Sequence, residues 1–319
     1  MATRQLIRRL SLKNILFLTD FSEPSDVALP YAASLARGYD ASVLALHVLT
    51  PPPTSGLTVQ QVAAAIEARE DAAAASMIRI DSQLGGISHE TITLHDGTVW
   101  SAVWKTIEER HIDLIVTGTR RRTGANGFFG ESVTEEIFRR ANVPVLVVGP
   151  EIRSATQSAG RFYRILYATD FSPESAAAAP FAVSLAEENE SKLLLLHVVR
   201  ERQCSPARPL PEDSAANIMH FLREAVPSDA EFWCRPEATI RFGLPANQIL
   251  DVSSEFRADL IVLGVRNACN RDCGNHRLEH TTARAIVAHA KCPVLTVRGG
   301  GIQTASFEVN CLGRAPRLT

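Results

Sequence analysis

Apolar positions gather in short, nearly continuous runs. In the first half of the chain they fall at 15–19, 42–48, 89–94, 114–117 and 145–148. Runs that do not alternate fit parallel strands buried on both faces. The stretches between them carry helical periodicity. Ser22 or Ser25 can cap a helix that runs to Leu35, with Pro24 in its first turn and Gly38 at its stop. An Ala-rich segment over 59–84 ends at Gly85-Gly86. A third helix is predicted over 98–110, where Val99, Val103 and Ile107 recur four apart on one face. A fourth is predicted over 134–141. Strands alternating with helices imply right-handed crossovers and a parallel sheet covered on both sides.

The whole pattern occurs twice. Asn14-Ile15-Leu16-Phe17-Leu18-Thr19-Asp20-Phe21-Ser22 returns as Arg164-Ile165-Leu166-Tyr167-Ala168-Thr169-Asp170-Phe171-Ser172, an offset of 150. His47-Val48 returns as His197-Val198. Asp113-Leu114-Ile115-Val116 returns as Asp259-Leu260-Ile261-Val262, and Pro144-Val145-Leu146 as Pro293-Val294-Leu295. Conserved order with a drifting offset marks a duplicated domain. The expected boundaries are a first domain at 1–150, a second at 161–299, and a loosely ordered tail at 300–319.

Composition narrows the class. The 319 residues are 45% apolar with a net charge of −2, which excludes a disordered chain and leaves material for two cores. No run reaches the roughly 18–20 apolar residues of a membrane span, and no basic stripe points to nucleic acid. Neither a membrane nor a nucleic acid is therefore expected as partner. Arg4, Arg8, Arg9 and Lys13 could form a transit segment, but the strand at 15–19 follows too closely. All six cysteines lie in the second half and are too sparse for a disulfide framework. The expected location is the cytoplasm.

Ligands of such sheets bind outside the carboxyl ends of the strands. Thr19-Asp20 and Thr169-Asp170 stand there after the first strand of each copy. Such an Asp can accept from a ribose hydroxyl or an adenine amine, or simply cap the next helix, and the residues leave both open. His47 and His197, single histidines in apolar strands, read as structural. After the fourth strand comes Gly118-Thr119-Arg120-Arg121-Arg122-Thr123-Gly124-Ala125-Asn126-Gly127-Phe128-Phe129-Gly130-Glu131-Ser132. A Gly-rich loop feeding a helix offers backbone N–H groups and a positive dipole end to phosphate. It is neither a Walker loop nor the dinucleotide fingerprint.

Together these residues resemble the universal stress protein family in its tandem two-domain form. The resemblance implies two tandem Rossmann-like domains of the adenine nucleotide alpha hydrolase-like type. Each would be a five-stranded parallel sheet of order 3-2-1-4-5 with helices on both faces. In the ATP-binding branch, phosphate is held by Gly, two residues, Gly, nine residues, then Gly and Ser or Thr. On the first copy that pattern falls on Gly118, Arg121, Glu131 and Ser132, so two of the three glycines are replaced. Gly130, one place early, and Arg120 and Arg121 are the expected compensation, through charge-assisted bonds to phosphate. Val133 follows Ser132 into the helix. By the same resemblance, Thr19, Asp20 and Val48 would hold adenine and ribose. The second copy keeps Thr169, Asp170, Val198 and Gly264 and places Thr281 in the Ser132 slot. No second or third glycine remains there, so that site is expected to be degenerate. The cofactor expectation is at most one weakly bound ATP or other adenine nucleotide, in the first copy, whose phosphate loop is impaired by the replaced glycines.

Cys269, Cys273, His276 and His280 offer four zinc-type ligands within twelve residues. The family resemblance calls for no metal, and a divergent polar loop is the favoured reading. An adenylyl-transfer enzyme would need a Ser-Gly-Gly turn after the first strand or a His by the phosphates, and neither is present. No triad or H-E-x-x-H motif is visible. The expected function is thus stress response through ligand binding, without catalysis, although slow ATP hydrolysis stays open. The alternative is an interaction module without nucleotide. As in dimers of the family, the two copies are expected to pair through their fifth strands within one chain. A homodimer or an unidentified protein partner remains open.

Overall fold

The computed structural model describes residues 10–52, 55–56, 58–120, 133–152, 160–200, 212–226, 234, 236–265 and 277–299. The first copy runs β1 (Asn14–Leu18), α1 (Glu23–Tyr39), β2 (Ser42–Leu49), α2 (Val59–Gln83), β3 (His89–His95), α3 (Val99–Arg110), β4 (Leu114–Gly118), α4 (Val133–Arg140) and β5 (Val145–Val148). The second runs β6 (Arg164–Ala168), α5 (Pro173–Glu188), β7 (Lys192–Val199), α6 (Glu212–Glu224), β8 (Glu237–Phe242), α7 (Pro245–Phe256), β9 (Leu260–Val265), α8 (Arg277–His289) and β10 (Val294–Arg298). The tail at 300–319 and residues 153–159 of the join lie outside the described residues.

Each copy is a parallel sheet of order 3-2-1-4-5, and β5 pairs antiparallel with β10. The result is one ten-stranded sheet, β3-β2-β1-β4-β5-β10-β9-β6-β7-β8. Alternate side chains of each strand enter opposite cores. Ile15, Phe17, Val43 and Val116 pack beneath α1 and α2, while Leu16, Leu18, Leu44 and Ile115 pack beneath α3 and α4. Both cores continue across the seam into the second copy, so burial on both faces is why the strand sequences are apolar throughout.

The seam is tight. Leu146 faces Leu295 in register, and the Thr296 hydroxyl donates to the Val145 carbonyl at 3.2 Å. Leu10 donates its N–H to Ser184 Oγ at 2.8 Å, fastening the first copy's leading segment to α5. Arg284 of α8 pairs with Glu135 of α4 at 3.5 Å. A small apolar cavity lined by Leu35, Leu146, Leu185 and Leu295, among others, lies at the same seam. Antiparallel pairing of the two halves points their strand carboxyl ends, and hence their candidate sites, in opposite directions along the strands.

Repeated devices fix each β1-type strand. Asp113 accepts the N–H groups of Lys13 and Asn14 at 2.7 and 2.9 Å, and Asp259 accepts those of Tyr163 and Arg164 at 2.8 and 3.0 Å. The Asp of the repeated Asp-Leu-Ile-Val motif is therefore a strand clamp. Helix α1 differs from expectation at its end. It runs through Gly38 to Tyr39, and Asp40 caps it at φ 52°. Ala41 then bonds back to the Ala36 carbonyl, turning the chain into β2.

Candidate functional site

The site begins where β1 stops. Thr19 extends the ladder by donating its N–H to the Leu46 carbonyl at 3.1 Å. The chain then turns sharply, with Phe21 in the left-handed region at φ 59°, a costly conformation for an aromatic residue. Three contacts hold the turn. Phe21 N–H donates to Thr19 Oγ1 at 3.0 Å, and Ser22 N–H donates to Asp20 Oδ1 at 3.1 Å. The Phe21 ring also lies 4.2 Å from the His47 imidazole, centroid to centroid.

His47 sits within β2, which runs on to Leu49. Its Nδ1 lies 2.9 Å from the Thr19 carbonyl, and a carbonyl only accepts, so Nδ1 carries the proton. His47 is thus a structural clasp between the ends of β1 and β2. The second copy repeats the device: His197 Nδ1 donates to the Thr169 carbonyl at 2.9 Å, and its ring stacks on Phe171, whose φ is 60°. Burial pulls the His197 pKa below its ordinary value, more than the Thr169 carbonyl and Asp170 raise it.

Asp20 is the centre of the first site. Its Oδ1 accepts from both serine hydroxyls, that of Ser25 at 2.8 Å and that of Ser22 at shorter range. Its Oδ2 accepts from Arg120 Nη2 at 2.9 Å. Burial pushes this carboxyl up, but the Ser22 and Ser25 hydroxyls, the Ser22 N–H and the Arg120 charge outweigh it and hold its pKa low. Asp20 therefore stays anionic at neutral pH. Ser22 precedes α1 without making a side-chain cap bond, so the serines serve Asp20 rather than the helix.

Gly118 closes the opposite wall. A Cβ there would lie 2.2 Å from the Pro24 carbonyl oxygen and 2.7 Å from Ser25 N. Gly264 meets Ser175 Cα at 2.3 Å in the same way. The glycine near the carboxyl end of the fourth strand is thus required in both copies by the close approach of the helix that follows the first strand, α1 or α5, whatever else it does. Thr134 Oγ1 donates to the Gly118 carbonyl at 3.2 Å, and Thr119 N–H to that of Val148 at 3.0 Å. Arg120 follows directly, beyond the carboxyl end of β4, where it reaches Asp20.

Thr19, Asp20, Gly118 and Arg120 therefore come together. Val48 lies half-buried on the neighbouring strand, and Val133 is exposed at the start of α4. Arg121, Gly130 and Ser132 lie outside the described residues. In the second copy Thr169 is buried and Val198 half-buried at the matching strand ends, and Asp170 Oδ1 accepts from Ser172 N–H at 3.0 Å. There the Ser175 hydroxyl turns to Thr169 Oγ1, 3.0 Å away, and Phe221 of α6 packs edge-on against Phe171. Thr281 falls within α8, and its side chain is outside the described set. So are Cys269, Cys273, His276 and the side chain of His280. Among the described residues no group of three or more His, Cys, Asp or Glu side chains is placed to hold a metal. Cys292 is a buried free thiol whose pKa burial raises to about 12. Sequence reasoning weighed Ser25 only as a helix cap. Its exact return as Ser175, at the same offset as Asp20 and Asp170, was the available signal for a second role.

The universal stress protein family model matches residues 11–149 and again 161–298. Universal stress protein MJ0531 of Methanocaldococcus jannaschii is 30% identical over 139 residues, spanning 43% of this chain and 81% of that protein. A putative universal stress protein of Staphylococcus aureus USA300 is also 30% identical, over 145 residues and 84% of its length. The crystal structure of a universal stress protein from Archaeoglobus fulgidus aligns with 91% of this chain and 97% of its own, with a TM-score of 0.67 at 20% identity. That likeness extends across both copies and concerns the fold. With the family model matched twice over nearly the whole sequence, the chain belongs to the universal stress protein family as a tandem, two-domain member.

Proposed function

We propose that the chain is a stress-response protein of the cytoplasm that binds one adenine nucleotide, ATP or AMP, in its first copy, without turning it over. One observation carries the reading: Asp20, Arg120 and Gly118 converge at the carboxyl ends of β1 and β4, between the buried Thr19 and the half-buried Val48. Asp20, held anionic, accepts from the ribose or the adenine amine, and Val48 lies against the base. Arg120, with the loop that follows it, meets phosphate. Asp20, anionic at neutral pH, is an acceptor and not a proton donor, which suits the binding role assigned to it. In the second copy the Asp170 turn persists, while the altered loop and the Phe171–Phe221 contact favour a structural role.

A second reading, an interaction module without nucleotide that acts through the pairing of its two domains, is favoured by the continuous sheet, in which β3 and β8 are the outer strands among the described residues. Native mass spectrometry of the whole chain in ATP separates the two. One added nucleotide per chain supports the first reading. A bare mass at millimolar ATP overturns it and leaves the second.

A further inference from the structure

We propose that Ser22 and Ser25 are positioning residues for Asp20: their hydroxyls fix its carboxylate for the ligand, whereas the matching serines of the second copy are committed to their own helix. The proposal rests on the nucleotide reading above and deepens it, because it names what prepares the Asp of one copy and not that of the other.

The two copies share the pattern Thr-Asp-Phe-Ser-x-x-Ser, from Thr19 to Ser25 and from Thr169 to Ser175. Their hydroxyl protons nevertheless go to different places. In the first copy both end on the carboxylate: Ser22 Oγ and Ser25 Oγ donate to Asp20 Oδ1, where the Ser22 N–H joins them. In the second copy both stay inside the turn. Ser172 Oγ caps α5 by accepting the Ser175 N–H at 3.2 Å, and it donates to Ser175 Oγ at 3.3 Å. Ser175 Oγ gives its proton to the Ser172 carbonyl at 3.0 Å, so Thr169 Oγ1 is the donor in the 3.0 Å Thr169–Ser175 contact. Tyr167, which stands where the first copy has Phe17, donates its hydroxyl to the Ser175 carbonyl at 2.6 Å and ties that turn further.

The serines steady a side chain that solvent would otherwise leave free. The Asp20 side chain is 59% exposed, whereas Ser25 is buried, with its backbone N pressed close to Gly118. A fixed hydroxyl therefore anchors one oxygen of an exposed carboxylate. Arg120 takes one acceptor direction of Oδ2, and the other is open to a ribose hydroxyl or an adenine amine. Immobilising a loose side chain on binding costs about two- to tenfold in affinity, and the serines remove that cost beforehand.

Calorimetric titration of ATP into the full chain, Ser22→Ala, Ser25→Ala and Ser172→Ala tests the assignment, with the Asp20 carboxyl titrated by carbon NMR. Ser22→Ala takes no cap from α1, so it serves even where Ser25→Ala disturbs the buried turn. The expected result is that each first-copy variant raises the Asp20 pKa and weakens ATP by about two- to tenfold. Ser172→Ala should leave ATP binding unchanged and lower the melting temperature by about 1–3 °C through the lost cap. If ATP binds the native chain and neither first-copy variant weakens it, or Ser172→Ala weakens it equally, the positioning role is overturned and the nucleotide reading survives. If ATP does not bind the native chain, the nucleotide reading falls and the NMR titration alone decides: a raised Asp20 pKa upholds the positioning role, and an unmoved one overturns it.

Discussion

A single methyl group at Gly118 tests how the site is built. The backbone there is not in the left-handed region, so the demand is for space and not for conformation. In Gly118→Ala the new carbon would sit 2.2 Å from the Pro24 oxygen and 2.4 Å from its carbonyl carbon. Ordinary contact begins near 3.4 Å, so α1 must retreat by about 1.2 Å. Neither partner atom can rotate aside, since both are backbone. The helix that must move carries Val27, Ala28, Leu29, Tyr31 and Ala32 into the core. The cost should reach the upper end of the overpacking range, about 3 kcal/mol. With about 2.1 cal/mol/K of unfolding entropy per residue, that lowers the melting temperature of a 319-residue cooperative unit by roughly 4–5 °C. Gly38→Ala is the matched control: it lies inside the same helix with no atom within 4 Å, and should stabilise by about 0.5–1 kcal/mol. Thermal unfolding of the two variants followed by circular dichroism gives the comparison. A Gly118→Ala protein that melts with or above the native chain would refute the close seating of α1 against β4. The structural basis for Gly264 in the second copy would fall with it.

Two further outcomes follow from the seam and the histidine clasp. Leu146→Ala removes a buried side chain beside an existing cavity and should cost about 3 kcal/mol in urea unfolding, with both halves still melting in one transition because the cores are shared. The folded pKa of His197 lies below its unfolded value, so its contribution to stability is complete above about pH 6.5 and is lost as pH falls through the folded pKa. Proton NMR should find the His197 ring titrating below the ordinary histidine range, and His197→Phe should flatten the stability loss on the acid side of neutrality.

The sequence carried the duplication and the strand positions because parallel strands buried on both faces must be apolar at every residue, as 15–18 and 165–168 are. It did not carry the end of α1. Gly38 looks like a stop, but the helix passes through it, and Asp40 supplies the left-handed cap where the chain turns into β2. Thr19, Asp20 and Gly118 were legible as candidates because they end strands. Their support was not. The Asp20–Arg120 pair spans 100 residues, and the contact of Gly118 with Pro24 depends on a helix approach that no local pattern encodes. The glycine itself reads as a phosphate-loop element, whereas its repeat at Gly264 answers first to packing.

The central claim is asymmetry: two copies of one fold, one nucleotide site. Isothermal titration of ATP into the native chain, Asp20→Ala and Asp170→Ala tests it most directly. The account predicts one ATP per native chain, lost in Asp20→Ala and kept in Asp170→Ala. Two sites per chain, or binding lost in Asp170→Ala and kept in Asp20→Ala, would contradict it.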